Sequence, residues 1–202
     1  MSTFANSVQP VVVNAYTEAL CIDCQHFFNN QLYETFHKLG PEVMDLNIVP
    51  FGNARLDEIS QTVTCQHGDG ECDANSWEQC AVEHAIPRVY MEFFNCLEHA
   101  LPMGHADDAF PDSVFLGCAA ITDDLDDADL QRCHDNPMMW WQLQQKYAKA
   151  TPEHDYVPWV LVNGKKIDEE NDNLLEVICR EFQAGGGSAV ACDSYSSSSE
   201  SS

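Results

Sequence analysis

The chain of 202 residues has few basic side chains. Nine lysine and arginine residues stand against 33 aspartate and glutamate residues, which gives a formal net charge of −24 at neutral pH. Because nucleic acids and anionic lipid surfaces both attract lysine and arginine, this deficit argues against both as partners. The sequence also lacks any run near the roughly 18 apolar residues that a membrane-spanning helix needs. We therefore expect a soluble protein without a membrane span.

Two features of secreted proteins are missing as well. The first ten residues, MSTFANSVQP, contain neither the basic nor the apolar region of a signal peptide, and no Asn-x-Ser/Thr site for glycosylation occurs. Ten cysteines nevertheless favour an oxidising compartment, where disulfide bonds persist. Either a signal peptide is missing from this sequence, or the protein is cytosolic and its thiols are reduced. We give the cysteines more weight and expect the first.

The N-terminal part of the chain predicts a strand–helix–strand unit. Residues 10–17 are rich in β-branched side chains and predict a strand, which leads directly to Cys21 and Cys24. Apolar residues recur at helical spacing over 25–39, and residues 43–51 predict a second strand. The pair of cysteines is therefore expected at the N-terminus of the helix between two strands.

A region of different character follows, over about residues 53–150. Polar loops alternate there with helical patterns, which predict a pair of helices over 79–101 and further helices over 113–120 and 125–149. We interpret this region as an insertion that is mainly helical. Cysteines punctuate it at Cys65, Cys72, Cys80 and Cys96.

The C-terminal part predicts a β-hairpin and a final helix. Residues 156–167 form two short strand patterns joined by an Asn-Gly pair, which is typical of a type I′ turn. A helix is expected from about 171 to 182. Residues 185–202 are rich in glycine and serine and predict a disordered tail, in which Cys192 is a candidate for a disulfide-linked dimer.

This order of elements favours an α/β, thioredoxin-like fold with a cysteine-containing, mainly helical insertion. Residues 1–9 are then an N-terminal extension, and residues 10–184 form one domain. Pro158 lies near the start of a predicted strand, where a proline is tolerated because it cannot donate to a central ladder. With the cysteine pair upstream, we expect a cis Val157–Pro158 bond whose backbone binds a substrate chain. The alternative is a trans proline in an edge strand.

Cys21 and Cys24 are the candidate catalytic residues. In disulfide exchange a thiolate attacks a sulfur, and a second thiol must then resolve the mixed disulfide. The first cysteine of a pair at a helix start faces unpaired N–H groups and the positive end of the helix dipole, which lower its pKa. We therefore expect Cys21 to be the nucleophile and Cys24 the resolving thiol. Asp23 either raises the pKa of Cys21 or serves only as a solvent-exposed or capping residue.

The same cysteine spacing also occurs as half of a zinc site. Zinc would need a second pair of ligands, and the spacing of Cys65, Cys72 and Cys80 does not provide one. The acidic stretch 123–129 lacks the glycine and the terminal glutamate of an EF-hand loop. The sequence therefore predicts no metal and no cofactor.

Residues 65–80 read CQHGDGECDANSWEQC, and this stretch resembles the signature of the gamma-interferon-inducible lysosomal thiol reductase family. The segments YVPWVLVNG and VPFGNA, and the position of the cysteine pair, are also similar to that family. The resemblance covers about residues 10–182. The fixed positions of the signature are all present, as Cys65, Gln66, His67, Gly68, Glu71, Cys72, Asn75 and Cys80.

The resemblance implies a thioredoxin fold, reduction of protein disulfides at acidic pH by Cys21 and Cys24, and location in lysosomes or secretion. Expected partners are disulfide-bonded protein substrates and a small-thiol reductant. For residues 65–80 we favour a structural role, with disulfides that hold a loop-rich insertion and with His67 and Glu71 in local hydrogen bonds. The pairing of the eight other cysteines stays open, since eight cysteines allow about 105 connectivities.

Two other functions are compatible with the sequence. A disulfide oxidase or isomerase of the secretory pathway would use the same two thiols, because the direction of exchange depends on a reduction potential that the sequence does not disclose. A non-enzymatic, disulfide-rich secreted binding or defence protein would instead use the cysteine pair as a structural disulfide.

Overall fold

The centre of the molecule is a mixed β-sheet in a computed structural model that describes residues 8–195. The strands are β1 (Val11–Thr17), β2 (Met44–Pro50), β3 (Arg55–Asp57), β4 (Thr62–Thr64), β5 (Trp159–Val162) and β6 (Lys165–Lys166). The main sheet has the order β2-β1-β5-β6, with β2 parallel and β5 antiparallel to β1. Val13 lies in its middle, paired with Leu46 on one side and Val162 on the other. β1 is therefore a central strand of the sheet, and the segment that follows it leads to Cys21 at the start of the next helix.

Helices follow β1 and the C-terminal hairpin, and they also make up most of the insertion. They are α1 (Ile22–Phe27), α2 (Tyr33–Leu39), α3 (Asp69–His84), α4 (Pro87–Ala100), α5 (Asp112–Ala120), α6 (Asp127–Asp135), α7 (Pro137–Ala150) and α8 (Leu174–Ala184). A π-helical turn, Phe28–Leu32, joins α1 to α2, and Gly40 ends α2 at a positive φ of 67°. The predicted strand–helix–strand unit is thereby confirmed. Within residues 8–195, no helix combines the length and the apolar character needed to cross a bilayer.

The insertion between β2 and β5 consists of a small hairpin, β3–β4, and the five helices α3 to α7. The expectation that residues 65–80 lie in a loop-rich segment is wrong from Asp69 onwards, because α3 begins there and enters the core. Trp77 on this helix is fully buried and stacks on Phe115 of α5, with 4.9 Å between ring centres. The buried face of α3 also contains polar side chains, so the spacing of apolar residues alone does not predict this helix.

Four disulfide bonds account for the eight cysteines outside the first pair. Three of them lie within the insertion, where they join neighbouring helices or the start of α3 to the preceding segment. The fourth joins α8 to the chain that follows it. The pairs are Cys65–Cys72, Cys80–Cys133, Cys96–Cys118 and Cys179–Cys192.

The C-terminal hairpin and helix follow the predicted order. Asn163 and Gly164 both have positive φ angles, 48° and 77°, as a type I′ turn requires, so that prediction is confirmed. The expectation of a disordered tail from residue 185 is wrong for residues 185–195. Cys192 there is fully buried and bonded to Cys179, which leaves no thiol at this position for a covalent dimer. The rest of the predicted tail, and most of the predicted extension 1–9, lie outside the described residues.

Candidate active site

Cys21 is the N-cap of α1, directly after the central strand. Its backbone is extended, with φ −68° and ψ 119°, and its Sγ accepts a hydrogen bond from the N–H of Cys24 at 3.2 Å. A hydrogen bond with the Cys24 side chain lowers the pKa of Cys21, burial opposes this, and the N–H groups of Cys24 and Asp23 lower it further. The exposed carboxylate of Asp23 raises the pKa and is the smallest of these causes. The helix start therefore favours a thiolate at Cys21.

Cys24 lies one turn deeper and has the opposite electrostatic environment. Only 2% of its surface is exposed, and burial, together with its hydrogen bond to Cys21, raises its pKa well above the ordinary value. Cys21 and Cys24 are the free cysteines of the described chain. The site thus holds one sulfur with a lowered pKa and one shielded thiol with a raised pKa, within hydrogen-bonding distance of each other.

Val157 and Pro158 precede β5 and meet the cysteine pair at the end of the sheet where β1 ends. The Val157–Pro158 peptide bond is cis, as predicted. The Cys21 thiol donates to the Val157 carbonyl oxygen at 3.7 Å, and Val157 packs with both cysteines in a small buried cluster. The structure therefore brings together all four residues that the sequence analysis named, although they come from segments more than 130 residues apart.

Two clefts flank this meeting point. One, of about 690 Å³, is lined by Cys21 and Val157 together with His67 and Arg55 from the insertion. The other, of about 710 Å³, lies on the far side of the cis bond and is lined by Pro158 and the start of the active-site helix. Cys21 lines the first of these clefts, so an extended chain can approach its sulfur there.

The loop that carries Cys21 is fixed by two side chains. Gln25 Nε2 donates to the carbonyl oxygen of Ala19 at 2.9 Å, and Asn75 Oδ1 accepts from the N–H of the same residue at 2.9 Å. Both side chains are buried. Asn75 belongs to the 65–80 stretch, so part of that stretch supports the active-site loop directly.

Glu18, His67 and Glu71 form a second group of polar side chains beside the cysteine pair. His67 Nδ1 lies 2.5 Å from Glu71 Oε2 and 3.6 Å from Glu18 Oε2, and the candidate ligand atoms of the three residues all lie within 4.8 Å of one another. The other Glu18 oxygen accepts a short hydrogen bond from the N–H of Asn53. Burial, with a smaller contribution from Glu71, raises the pKa of Glu18 to about 8. Sequence reasoning missed Glu18, because no motif marks it.

Two further carboxyl groups lie near the site, that of Glu78 buried and that of Glu98 half-buried, and within residues 8–195 neither forms an ion pair with a basic side chain. Burial raises the pKa of Glu98 to about 8, and the nearby Cys21 adds to the shift. Burial also raises the pKa of Glu78 well above its ordinary value, with contributions from Glu98 and Glu71. Because the pKa of each group is raised, each becomes negatively charged at a higher pH than an ordinary glutamate does.

A family model described as gamma interferon inducible lysosomal thiol reductase (GILT) matches residues 12–121. A gamma-interferon-responsive lysosomal thiol protein of Arabidopsis thaliana is 32% identical over 197 residues, which cover 95% of this chain and 79% of that protein. The gamma-interferon-inducible lysosomal thiol reductase of Mus musculus is 31% identical over 185 residues, covering 86% of this chain and 68% of the relative.

Solved structures with a similar fold are disulfide oxidoreductases of bacteria. Reduced DsbA from Mycobacterium tuberculosis superposes with a TM-score of 0.67 at 13% identity, over 95% of this chain and 94% of that one. BdbD from Bacillus subtilis superposes with a TM-score of 0.65 at 16% identity, over 89% and 90% of the two chains. At these identities the likeness shows the thioredoxin-like fold, which agrees with the sequence-based prediction.

Proposed function

The chain belongs to the gamma-interferon-inducible lysosomal thiol reductase family, and we propose that it reduces disulfide bonds of protein substrates with Cys21 as nucleophile and Cys24 as resolving thiol. The general activity, that of a thiol–disulfide oxidoreductase, comes with the family. This activity excludes the alternative of a non-enzymatic binding or defence protein. The observation that supports the two roles is the contrast between the sulfurs, since the pKa is lowered at Cys21 and raised at Cys24.

The reaction takes two exchange steps. The Cys21 thiolate attacks one sulfur of the substrate disulfide, so that a Cys21–substrate bond forms while the substrate bond breaks and its other sulfur leaves and takes up a proton. Cys24 then loses its proton and attacks the Cys21 sulfur, which releases the second substrate sulfur as a thiol. The substrate gains two electrons and two protons, and the Cys21–Cys24 pair becomes a disulfide.

Each turnover therefore consumes one dithiol, which a reductant must restore. A small thiol fits this role, because two equivalents of it reduce the Cys21–Cys24 disulfide by the same two exchange steps and leave as one oxidised disulfide. The cleft beside Cys21 is open to a molecule of that size, since its volume is about 690 Å³.

We assign substrate binding to the Val157–Pro158 segment. The Val157 carbonyl oxygen lies 3.7 Å from the Cys21 sulfur, so a substrate strand that pairs with this backbone brings its disulfide next to the nucleophile. Main-chain pairing of this kind depends little on the side chains of the substrate.

Acidic pH suits this site because of the buried carboxyl groups. Glu98 interacts electrostatically with Cys21, and its pKa is about 8. A protonated Glu98 is neutral and does not oppose the Cys21 thiolate, whereas an ionised Glu98 does. Glu78, which faces Glu98, has a raised pKa as well and acts in the same direction. The environment of Cys21 is thus less negative at acidic than at alkaline pH.

The working compartment is proposed to be the lysosome or the secretory pathway. Four disulfide bonds in the described chain indicate that the protein folds in an oxidising compartment. The relatives from mouse and Arabidopsis are named lysosomal proteins.

The proposal is tested by turnover of a disulfide-bonded protein with cysteine as reductant, at about pH 4.5 and about pH 7. We expect the chain to accelerate reduction at the acidic pH, and Cys21→Ser to remove the acceleration. The control is the double variant Cys179→Ser/Cys192→Ser, which removes a disulfide distant from the Cys21–Cys24 pair and leaves no new free thiol. Faster oxidation of a reduced protein than reduction of a disulfide, under the same thiol buffer, would instead support the oxidase alternative.

A further inference from the structure

The group formed by Glu18, His67 and Glu71 has no role in the exchange steps above, and its geometry is unusual. Glu18 precedes the active-site helix, whereas His67 and Glu71 come from the start of α3. The side chains of Glu18 and Glu71 have no exposed surface, and the imidazole side chain of His67 is 19% exposed. Two carboxylates and one imidazole therefore share a space closed to solvent except at the histidine.

Within the described chain, the carboxyl groups of Glu18 and Glu71 have no permanently charged cation beside them. No lysine or arginine of residues 8–195 forms an ion pair with Glu18 or Glu71; their ion-pair partner is His67. In addition, Glu18 Oε2 is buried and has no hydrogen-bond partner in the described chain. A proton on this oxygen would find no acceptor at hydrogen-bonding distance, whereas a cation would use the same oxygen as a ligand.

The three side chains are held in place by the surrounding backbone. The Cys65–Cys72 disulfide encloses the segment that carries His67 and Glu71, and the His67 N–H donates to Glu71 Oε1 at 3.0 Å. Glu18 fits against Gly52, where a Cβ atom would lie 2.2 Å from the Glu18 Cγ. The site is thus preorganised, and a side chain at position 52 would displace one of its members.

We propose that Glu18, His67 and Glu71 form a binding site for a divalent cation of the zinc class in the wall of the Cys21 cleft. Zinc accepts imidazole nitrogen and carboxylate oxygen at about 2.0–2.2 Å, which puts neighbouring ligand atoms of a tetrahedral site about 3.3–3.6 Å apart. The 3.6 Å between Glu18 Oε2 and His67 Nδ1 is close to this. The 2.5 Å between His67 and Glu71 is a hydrogen-bond distance, and it lengthens when a cation replaces the proton between them.

The site has an entry path and one open coordination position. His67 lines the cleft that also contains Cys21, so a cation reaches the group from solvent through that cleft. Three protein ligands leave a position open for water, as in zinc sites that are not purely structural. This site differs from the zinc site that the sequence analysis rejected, because none of its ligands is a cysteine.

The test uses zinc chloride and a full-length Cys21→Ser/Cys24→Ser variant, because a reduced cysteine pair binds zinc by itself. At pH 7.5 we expect isothermal titration to give about one zinc ion per chain. X-ray absorption of the zinc-loaded variant should show nitrogen and oxygen neighbours and no sulfur. Since this variant lacks the catalytic thiols, the result does not depend on the reductase activity.

Single replacements in that background identify the ligands. Glu18→Gln, His67→Gln and Glu71→Gln should each abolish measurable zinc binding, while His105→Gln, in an exposed histidine–aspartate pair, should leave it unchanged. Near-UV circular dichroism establishes which variants keep the native fold, and the X-ray absorption measurement needs none of them. Absence of zinc binding in the Cys21→Ser/Cys24→Ser variant, sulfur neighbours, or full binding by a folded His67→Gln variant would each overturn the proposal.

Discussion

Asn75 and Ala19 are 56 residues apart in the sequence, yet the Asn75 side-chain oxygen accepts the Ala19 N–H at 2.9 Å. Asn75 sits in the middle of α3, and Ala19 lies two residues before Cys21. The hydrogen bond is buried. The helix of the insertion therefore fixes the backbone from which the nucleophile projects.

We expect Asn75→Ala to slow alkylation of Cys21 and to reduce reductase activity. The change leaves the Ala19 N–H buried without an acceptor, which costs about 1–3 kcal/mol and releases the loop before the active-site helix. Asn173→Ala is the matched control, because it also removes an asparagine–backbone bond, at the N-cap of α8 and away from the site. It should lower stability by about 1 kcal/mol and leave Cys21 reactivity unchanged. Equal effects of the two variants on Cys21 would contradict the positioning role.

Reduced protein should be alkylated at Cys21 before Cys24. Cys21 is 6% exposed, lines the cleft and has a lowered pKa, whereas Cys24 is 2% exposed and its pKa is raised. The measurement is peptide mapping by mass spectrometry after a limiting dose of iodoacetamide, at several pH values. Labelling of Cys21 should persist below the pH range of an ordinary thiol, near 8.5. Preferential labelling of Cys24 would reverse the assigned roles.

Stability should fall as the pH rises from about 5 to about 8. Burial raises the pKa of Glu98 from 4.5 to about 8, so the folded protein keeps a proton that the unfolded chain releases in this range. This contribution to stability is complete below about pH 4.5 and is lost as the pH passes through 8. Glu78, whose pKa is also raised, acts in the same direction. Urea denaturation at several pH values measures the effect.

Glu98→Gln removes the titrating group at position 98, so the free energy of unfolding should fall less steeply as the pH rises. The difference from the unmodified chain should be on the order of a few kcal/mol at pH 8 and small at pH 5, since each pKa unit corresponds to about 1.4 kcal/mol. Glu58→Gln, at an exposed position, is the control for removal of one charge from a chain of net charge −24. Parallel curves for all three proteins would mean that Glu98 is solvated in the folded state.

Short-range patterns in the sequence were sufficient to predict the strand and the helix on either side of Cys21 and the turn of the C-terminal hairpin. The β-branched strand before Cys21, the apolar spacing after Cys24 and the Asn-Gly turn each depend on neighbours in the chain, and the structure contains all three elements. The proline at 158 was informative only together with the cysteine pair. These are features that short-range physics determines.

The start of α3 was misjudged for a physical reason. Its buried residues include Glu71, Asn75 and Gln79, so the face that enters the core is partly polar and shows no apolar stripe. Gln79 donates to the Pro50 carbonyl oxygen at the end of β2, a partner that is distant in sequence. Buried polar contacts of this kind exist only once the chain is folded, and the Glu18 group was missed for the same reason.

The Cys179–Cys192 bond should stabilise the protein, in contrast to the expectation of a disordered tail from residue 185. It closes a loop over a sequence separation of 13 residues and holds the end of the described chain against α8. Cys192→Ser should lower the free energy of unfolding by roughly 3 kcal/mol. Cys179→Ser and the double variant should have nearly the same effect, because either change removes the one bond. A destabilisation of the double variant equal to the sum of the single ones would contradict this account.

Cys24→Ser should trap covalent complexes with protein substrates, and Cys21→Ser should trap none. Cys21 attacks the substrate disulfide and becomes half of a mixed disulfide, whose release depends on a thiol one helical turn away at high effective concentration. Serine at 24 removes that thiol, so adducts should persist on non-reducing gels and disappear with added reductant. Serine at 21 removes the attack, and Cys24, at 2% exposure, is too shielded to replace it. Equal trapping by both variants would contradict the nucleophile assignment, and full activity of the double variant would place the catalytic dithiol elsewhere.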